Sequence, residues 1–310
     1  MDGAAPPLQP LDGLPVKIDA AAIDSAIAPF LVSEGDELRW RGAVGRRWIG
    51  TLGRLATGRE SKRDAVAIES EYTDAWAAGY QRYRLGRTDL HGKPWAWRGR
   101  LLMVDPAAAT RLRTLLFAAV IADLKPRRVL EVGSGNGINL LSLAGAFPDI
   151  EFTGLELTSE GVEQARRAQS DTAIAEIVRA YSPLDTRDPS AIGRIRFVQS
   201  NASAMPFDED SFDLVMTVLA VEQMERIRAA ALSEIARVSA GHVLMLEPFS
   251  DVNSRGLRRL YVRSRNYFRG SIGELRDFGL TPLWATDDFP QEAFLGTALV
   301  LARKDARSAL

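Results

Sequence analysis

Glu131 stands two residues ahead of three closely spaced glycines, Gly133, Gly135 and Gly137, in the run Val129-Leu-Glu-Val-Gly-Ser-Gly-Asn-Gly-Ile138. Residues 129–132 are short and apolar, as a buried parallel strand is. Behind the glycines, Ile138, Leu140, Leu141 and Leu143 start a helical pattern. A strand, a glycine turn and a helix N-terminus together bring backbone N–H groups to a ligand. A missing Cβ lets the ligand close on the chain. The spacing discriminates between ligands. A dinucleotide fingerprint needs glycine or alanine where Ile138 stands, and a phosphate loop needs a Gly-Lys-Ser/Thr sequence that is absent. An acid at Glu131 repels a pyrophosphate and attracts an ammonium group.

Residues 151–156 read as the next strand and end on Glu156, a carboxylate placed to accept both hydroxyls of a ribose. Ser159 reads as the N-cap of the helix that follows. A third strand, 194–200, leads into Asn201-Ala-Ser-Ala-Met-Pro-Phe-Asp-Glu-Asp-Ser-Phe-Asp213. This segment and the pattern Glu-x-Gly-x-Gly-x-Gly resemble the class I S-adenosylmethionine-dependent methyltransferases, closest to their type-11 branch. The resemblance covers residues 105–303 and not the first hundred. It implies S-adenosylmethionine as cofactor and no metal. It also implies a cofactor site made by Glu131, Gly133, Ser134, Gly135, Gly137, Glu156, Leu157, Asn201, Ala202 and Leu219. The family usually has Asp where Asn201 stands, and an amide oxygen can still accept from an adenine amino group.

Four more strands are read at 212–219, 243–248, 280–284 and 294–302, with a capping-box sequence at Ser271-Ile-Gly-Glu274. The resemblance implies an α/β fold, a Rossmann-like seven-stranded methyltransferase sheet in the order 3-2-1-4-5-7-6. Its last strand is antiparallel and helices cover both faces. Methyl transfer from a sulfonium is an in-line displacement that chiefly needs alignment of the two reactants. A neutral acceptor also needs a general base. Glu247, at the ligand end of the fifth strand, and His91 are the candidates. His242 is at the other end of that strand and reads as structural. An anionic acceptor needs no base. Residues 254–270 carry six arginines, interleaved with Tyr261, Tyr267 and Phe268, and no acid. Arg258 and Arg259 are therefore candidate acceptor contacts, and a solvated basic helix is the plainer alternative. The acceptor implied is a small molecule or glycan methylated at oxygen or nitrogen, with anionic acceptors included. An RNA or protein methyltransferase and a catalytically silent cofactor-binding module are the alternatives. The turn Leu219-Ala-Val-Glu222 lacks the Asp/Asn-Pro-Pro-Tyr/Phe motif of enzymes that methylate base amines, which disfavours nucleic acid.

The core that positions these residues is expected at 105–310, behind a mostly helical extension at 1–104. Within the extension, residues 1–19 read as a mobile arm and 20–31 as a short helix. The basic stretch 37–55 suits either strand or helix. Residues 61–83 read as a long helix with Tyr72, Trp76 and Tyr80 on one side. These aromatics resemble the family's lid segment and are candidate acceptor-side residues, or they pack in the core. Residues 91–97 read as a loop whose two tryptophans cover an acceptor pocket or a homodimer interface. Asp105-Pro106 then caps a helix running to Leu124. The chain has 310 residues, 46% of them hydrophobic, and a net charge of −1. Such a balance predicts no nucleic-acid or membrane partner. No cysteine occurs, which excludes disulfides, thiolate metal sites and cysteine nucleophiles. No apolar run is long enough for membrane insertion. The N-terminus lacks a basic leader, so a cytoplasmic location is the default expectation.

Overall fold

The computed structural model describes residues 5–56, 79–265 and 269–306. Helix α1 (Ala20–Ile27) starts at Asp19, whose carboxylate accepts from the N–H of Ala21, and it buries Ile23, Ala26 and Ile27. Strand β1 (Leu31–Glu34) follows. The basic stretch resolves into one long helix, α2 (Glu37–Ala56). Trp40 Nε1 on that helix donates to the carbonyl of Trp95 at 2.8 Å. Residues 91–97 are not a loop. Strand β2 (Lys93–Trp97) pairs with β3 (Arg100–Val104) in an antiparallel hairpin. Arg98 and Gly99 turn it with φ of +47° and +79°, as two-residue hairpins require. Trp95 and Trp97 share one face of β2 and are buried. A short strand from far along the chain, β10 (Gln291–Glu292), completes this sheet in the order β1-β3-β2-β10.

The central sheet contains β4 (Arg128–Val132), β5 (Glu151–Glu156), β6 (Arg196–Gln199), β7 (Phe212–Val218), β8 (Ser239–Glu247), β9 (Leu280–Thr286) and β11 (Ala298–Lys304). Their order is β6-β5-β4-β7-β8-β11-β9, and β11 runs antiparallel to both neighbours. This is the seven-stranded Rossmann-like arrangement expected from the sequence. Alternate residues feed separate cores on the two faces. Val129, Leu214, Met216 and Leu244 pack with helices α3 (Ala108–Leu124), α4 (Ile138–Ala144), α5 (Ser159–Ser170) and α6 (Thr172–Tyr181). Leu130, Val132, Val215 and Val243 pack on the other face with α7 (Arg228–Val238). Thr158, one residue earlier than expected, caps α5 through Oγ1. The Ser271/Glu274 box is made in both directions, at 3.3 and 3.2 Å, ahead of a 3-10 turn at Gly273–Phe278. The chain reverses its direction of travel across the sheet between β4 and β7. Ligand crevices open at such a switch point, beyond the carboxyl ends of the strands.

Among residues 5–19, the expected mobile arm is instead tied down. The N–H of Gln9 donates to the carbonyl of Ala285 at 2.8 Å, and Thr286 Oγ1 donates back to the carbonyl of Gln9 at 2.6 Å. Leu11 and Val16 are buried. The arm thereby covers the edge of β9, whose open backbone groups need partners. One apolar cluster runs from Leu11 and Trp97 to Leu244 and Leu301. The extension is helical at α1 and α2, as expected, adds strands β1, β2 and β3, and shares its interior with the core. Most of the helix expected at 61–83, with Tyr72 and Trp76, lies outside the described residues. Gln81–Tyr83 is a 3-10 turn.

Asp288 fastens three of these pieces. It accepts from Leu11 N at 3.0 Å, from Trp97 Nε1 at 2.8 Å and from Arg98 Nε at 2.9 Å. The Arg98 guanidinium is the main reason its pKa falls from 3.8 to about 2. Asp288→Ala is expected to cost on the order of 1–3 kcal/mol in urea denaturation at pH 7. A depressed carboxylate stabilises the fold above its unfolded pKa. This contribution should therefore vanish as pH falls from about 4 through about 2, closing the gap between variant and wild type.

Candidate active site

Beyond β4 the chain turns tightly, and the N–H groups of Gly133 and Ser134 both donate to the carbonyl of Leu155, at 2.8 and 3.0 Å. Gly133, Gly135 and Gly137 all have left-handed backbone, with φ of +76°, +55° and +76°. A Cβ on Gly133 would lie 2.5 Å from that of Ala220, and one on Gly137 would lie 2.7 Å from the Phe197 ring. At these two positions glycine is required by backbone conformation and by the protein's own packing, rather than by ligand approach as the sequence suggested. Tyr80 braces the turn from behind. Its hydroxyl reaches the carbonyl of Asn136 and lies 3.1 Å from that of Gln164. Burial raises its pKa, so it acts as a protonated donor.

A cavity of about 490 Å³ opens at the carboxyl ends of β4 to β7. It brings together Gly133, Glu156, Leu157, Asn201, Ala202 and Leu219 from the expected site. Ser134, Gly135, Gly137 and Glu131 are not part of its wall. Glu156 is nearly buried and already works within the protein. It accepts from Gly135 N at 2.9 Å, from Thr158 N at 2.9 Å and from Thr158 Oγ1 at 2.8 Å. A carboxylate has about four acceptor positions, so roughly one stays open to a ligand hydroxyl rather than the two expected. The carbonyl oxygen of Asn201 takes two hydrogen bonds from Ser203, both at 2.9 Å, and an adenine amino group would compete with that turn. Glu131 is fully buried and, among the described residues, accepts only from Asn139, at 2.6 Å. Burial pushes its pKa up to about 8. It is therefore largely protonated at neutral pH, and the expected attraction of an ammonium group does not follow.

A second cavity of about 180 Å³ adjoins the first, and Arg113 and Leu219 line both. Trp95, Leu112, Leu116, Tyr261 and Phe289 supply its apolar wall. Arg47, Lys93, Arg113 and Glu292 supply its charges. Lys93 pairs with Glu292 at 3.1 Å, and Arg47 donates to the hydroxyl of Tyr261 at 2.7 Å. Leu219 is left-handed, with φ of +51°, which is strained for a residue carrying a Cβ.

The expected catalytic and acceptor residues lie elsewhere. Glu247 faces neither cavity. Its buried carboxylate accepts from the backbone N–H groups of Ala220, Val221 and Glu222 at 3.0, 3.1 and 3.2 Å. Burial still raises its pKa to about 7. It holds the turn after β7 instead of meeting an acceptor. His91 is exposed, and only its backbone N–H is engaged, by Asp105 at 2.9 Å. Arg258 is half-buried with its guanidinium over Gly296, Arg259 is exposed, and neither lines the two cavities described above. Tyr80 holds the glycine turn and touches no cavity. Arg113 escaped the sequence reading, and Glu222 was read only as an acid of the turn after the fourth strand. The available signal was a pair of arginines, Arg111 and Arg113, inside an otherwise apolar helix. Arg111 is spent on the carbonyls of Ala26 and Tyr181.

Comparison with known proteins agrees with this geometry. A family profile described as "Methyltransferase domain" matches residues 130–245. The chain is 32% identical over 120 residues to a fatty-acid O-methyltransferase of Mycolicibacterium smegmatis, covering 39% of this chain and 36% of that protein. It is 32% identical over 148 residues to a ubiquinone/menaquinone biosynthesis C-methyltransferase of Methylobacterium nodulans, covering 46% and 52%. The chain thus spans about half or less of the curated relatives it matches. Among solved structures it shares the fold of the [4+2]-cyclase SpnF, with a TM-score of 0.50 at 15% identity, covering 80% of this chain and 97% of that one. Residues 130–245 thus match a methyltransferase domain, set within a sheet of the class I S-adenosylmethionine-dependent arrangement. S-adenosylmethionine is the cofactor this domain implies.

Two consequences are measurable. Gly137→Ala combines a left-handed residue with a clash against Phe197 and should lower stability by on the order of 1–3 kcal/mol in thermal or urea unfolding. Glu131 keeps its proton when folded to about pH 8 but releases it near 4.5 when unfolded. Its contribution therefore makes the protein less stable as pH rises between those values. Glu131→Gln should flatten the decline in urea-unfolding free energy between about pH 4.5 and pH 8.

Proposed function

We propose that this chain transfers the methyl group of S-adenosylmethionine to a small-molecule acceptor held in the second cavity. The observation that carries this reading is the meeting of the two cavities at Leu219 and Arg113, directly at the switch point of the sheet. The walls of the larger cavity fit the cofactor. Glu156 offers its open acceptor position to a ribose hydroxyl, and Leu157 and Ala202 give apolar surface for a purine. When bound, the cofactor supplies an electrophilic methyl group on a positively charged sulfur. The protein's task is then alignment, since displacement at that carbon needs nucleophile and leaving group in line. Leu219, shared by both walls, sets the approach, and Trp95, Leu116 and Phe289 keep water from the acceptor side. The small volume of the second cavity suits a small acceptor group. By name the two relatives above are a fatty-acid O-methyltransferase and a C-methyltransferase of ubiquinone/menaquinone biosynthesis, which supports a small-molecule acceptor without choosing the atom. No described helix is long and apolar enough to cross a membrane.

Calorimetric titration with S-adenosylmethionine, S-adenosylhomocysteine and reduced nicotinamide dinucleotide tests the reading. The two sulfur nucleosides should bind, and tighter binding of the dinucleotide would sink it. Glu156→Gln retains one acceptor oxygen and loses the charge, so it should weaken S-adenosylhomocysteine binding about tenfold or more.

A further inference from the structure

Arg113 projects from the apolar helix α3 to the junction of the two cavities and is half-buried there. Among the described residues it has neither a hydrogen-bond nor an ion-pair partner. Burial pulls its pKa below the ordinary value, and the fields of Glu222 and then Glu292 oppose this without either acid contacting it. A guanidinium at such a site calls for an anion, and its planar fork matches a carboxylate. The rest of the second cavity sharpens the choice. Lys93 and Glu292 neutralise each other and Arg47 is engaged by Tyr261, so Arg113 is the cation left facing the apolar wall of Trp95, Leu112, Leu116 and Phe289. The ligand this combination suits has an apolar body and one anionic end.

We propose that the acceptor is an apolar monocarboxylate, and that Arg113 receives its carboxylate where the second cavity meets the first. This rests on the methyltransferase reading above and names its substrate class. One carboxylate oxygen forms the new O–CH3 bond while the methyl–sulfur bond breaks and its electron pair stays on sulfur. A carboxylate and a sulfonium become a neutral methyl ester and a neutral thioether, and no proton moves. The absence of His91 and Glu247 from the cavity walls then needs no substitute, since this nucleophile needs no base. A weakly polar cavity favours a step in which opposite charges annihilate.

Octanoate and its uncharged isostere octanamide are the probes, used on cofactor-free wild type and on Arg113→Met and Arg113→Lys. Octanoate should bind wild type about tenfold more tightly than octanamide. Arg113→Met should erase that preference, and Arg113→Lys should keep part of it. Both variants should bind S-adenosylhomocysteine within about twofold of wild type, which also shows that they are folded. With S-adenosylmethionine, wild type should yield methyl octanoate by mass spectrometry. Equal binding of the two probes to wild type would overturn the proposal. So would an Arg113→Met protein that loses cofactor affinity yet keeps the octanoate preference, because Arg113 would then serve the cofactor's own carboxylate. Octanoate binding without methyl octanoate would overturn the ester-forming step. A wild type that binds no S-adenosylhomocysteine would bring down the methyltransferase reading instead, and the probe preference in cofactor-free protein would still judge the Arg113 assignment.

Discussion

The left-handed turn from Gly133 to Gly137 is the constraint on which the rest of the molecule depends. Three consecutive alternate residues with positive φ are costly for any chain with side chains at those positions. The turn is kept by partners from three directions. The carbonyl of Leu155 accepts from two of its N–H groups, the carboxylate of Glu156 accepts from that of Gly135, and the Tyr80 hydroxyl donates to the carbonyl of Asn136. Strand β5 is thus bound to the turn after β4 by side chain as well as by ladder. This coupling fixes where β4 stops and where α4 starts, and so it shapes the crevice between β4 and β7. Any residue that fills the space of Gly133 pushes on Ala220, and the disturbance crosses directly to the other side of the switch point.

Charge is distributed unusually along this edge of the sheet. Glu131 and Glu247 end or nearly end their strands fully buried, and both have pKa values raised by burial. They differ in what they receive. Glu247 gathers three backbone N–H groups and so completes the turn after β7, whereas Glu131 has one amide partner. Three N–H donors offset more of the cost of burial, so the pKa of Glu247 rises to about 7 and that of Glu131 to about 8. Arg113 is the complementary case, a guanidinium partly stripped of water and facing a cavity rather than an acid. Glu131 and Glu247 thus serve the frame, whereas Arg113, like Glu156, faces a cavity.

The central sheet was legible because its signals are local and redundant. Each strand is an apolar run closed by a turn residue, and the glycine spacing, Glu156 and the segment after Asn201 all point to one crevice. Six expected residues do line it. The failures share a different physics. The hairpin of β2 and β3 is held by β1 and by β10, nearly two hundred residues away, and no local pattern announces such a partner. Trp95 and Trp97 looked exposed because the sheet that buries them is assembled from both ends of the chain. The arm at residues 5–19 looked mobile for the same reason, since its anchor points are Ala285 and Asp288. Glu247 and His91 were chosen by residue type. What decides their roles is the direction of backbone N–H groups and the depth of a wall, and neither is written in composition or spacing.

Leu219 ties these points together. It is the non-glycine residue at which the chain passes between the two cavities, and a leucine in that conformation costs on the order of 1–2 kcal/mol. Glycine would remove the strain, but it would also remove the side chain that stands in both walls. The strain is sustained because its neighbours are fixed on either side. Its own N–H donates to the carbonyl of Leu246 at 2.9 Å, and the next three N–H groups are held by Glu247. The burial of Glu247, costly by itself, therefore fastens a turn that would otherwise relax. A relaxed turn would let Leu219 swing away from the junction, and the two cavities would no longer meet across a single defined side chain. Alignment of donor and acceptor is the main thing a methyl-transfer site must supply. Under the proposed reading, that alignment traces to a buried carboxylate which touches neither cavity.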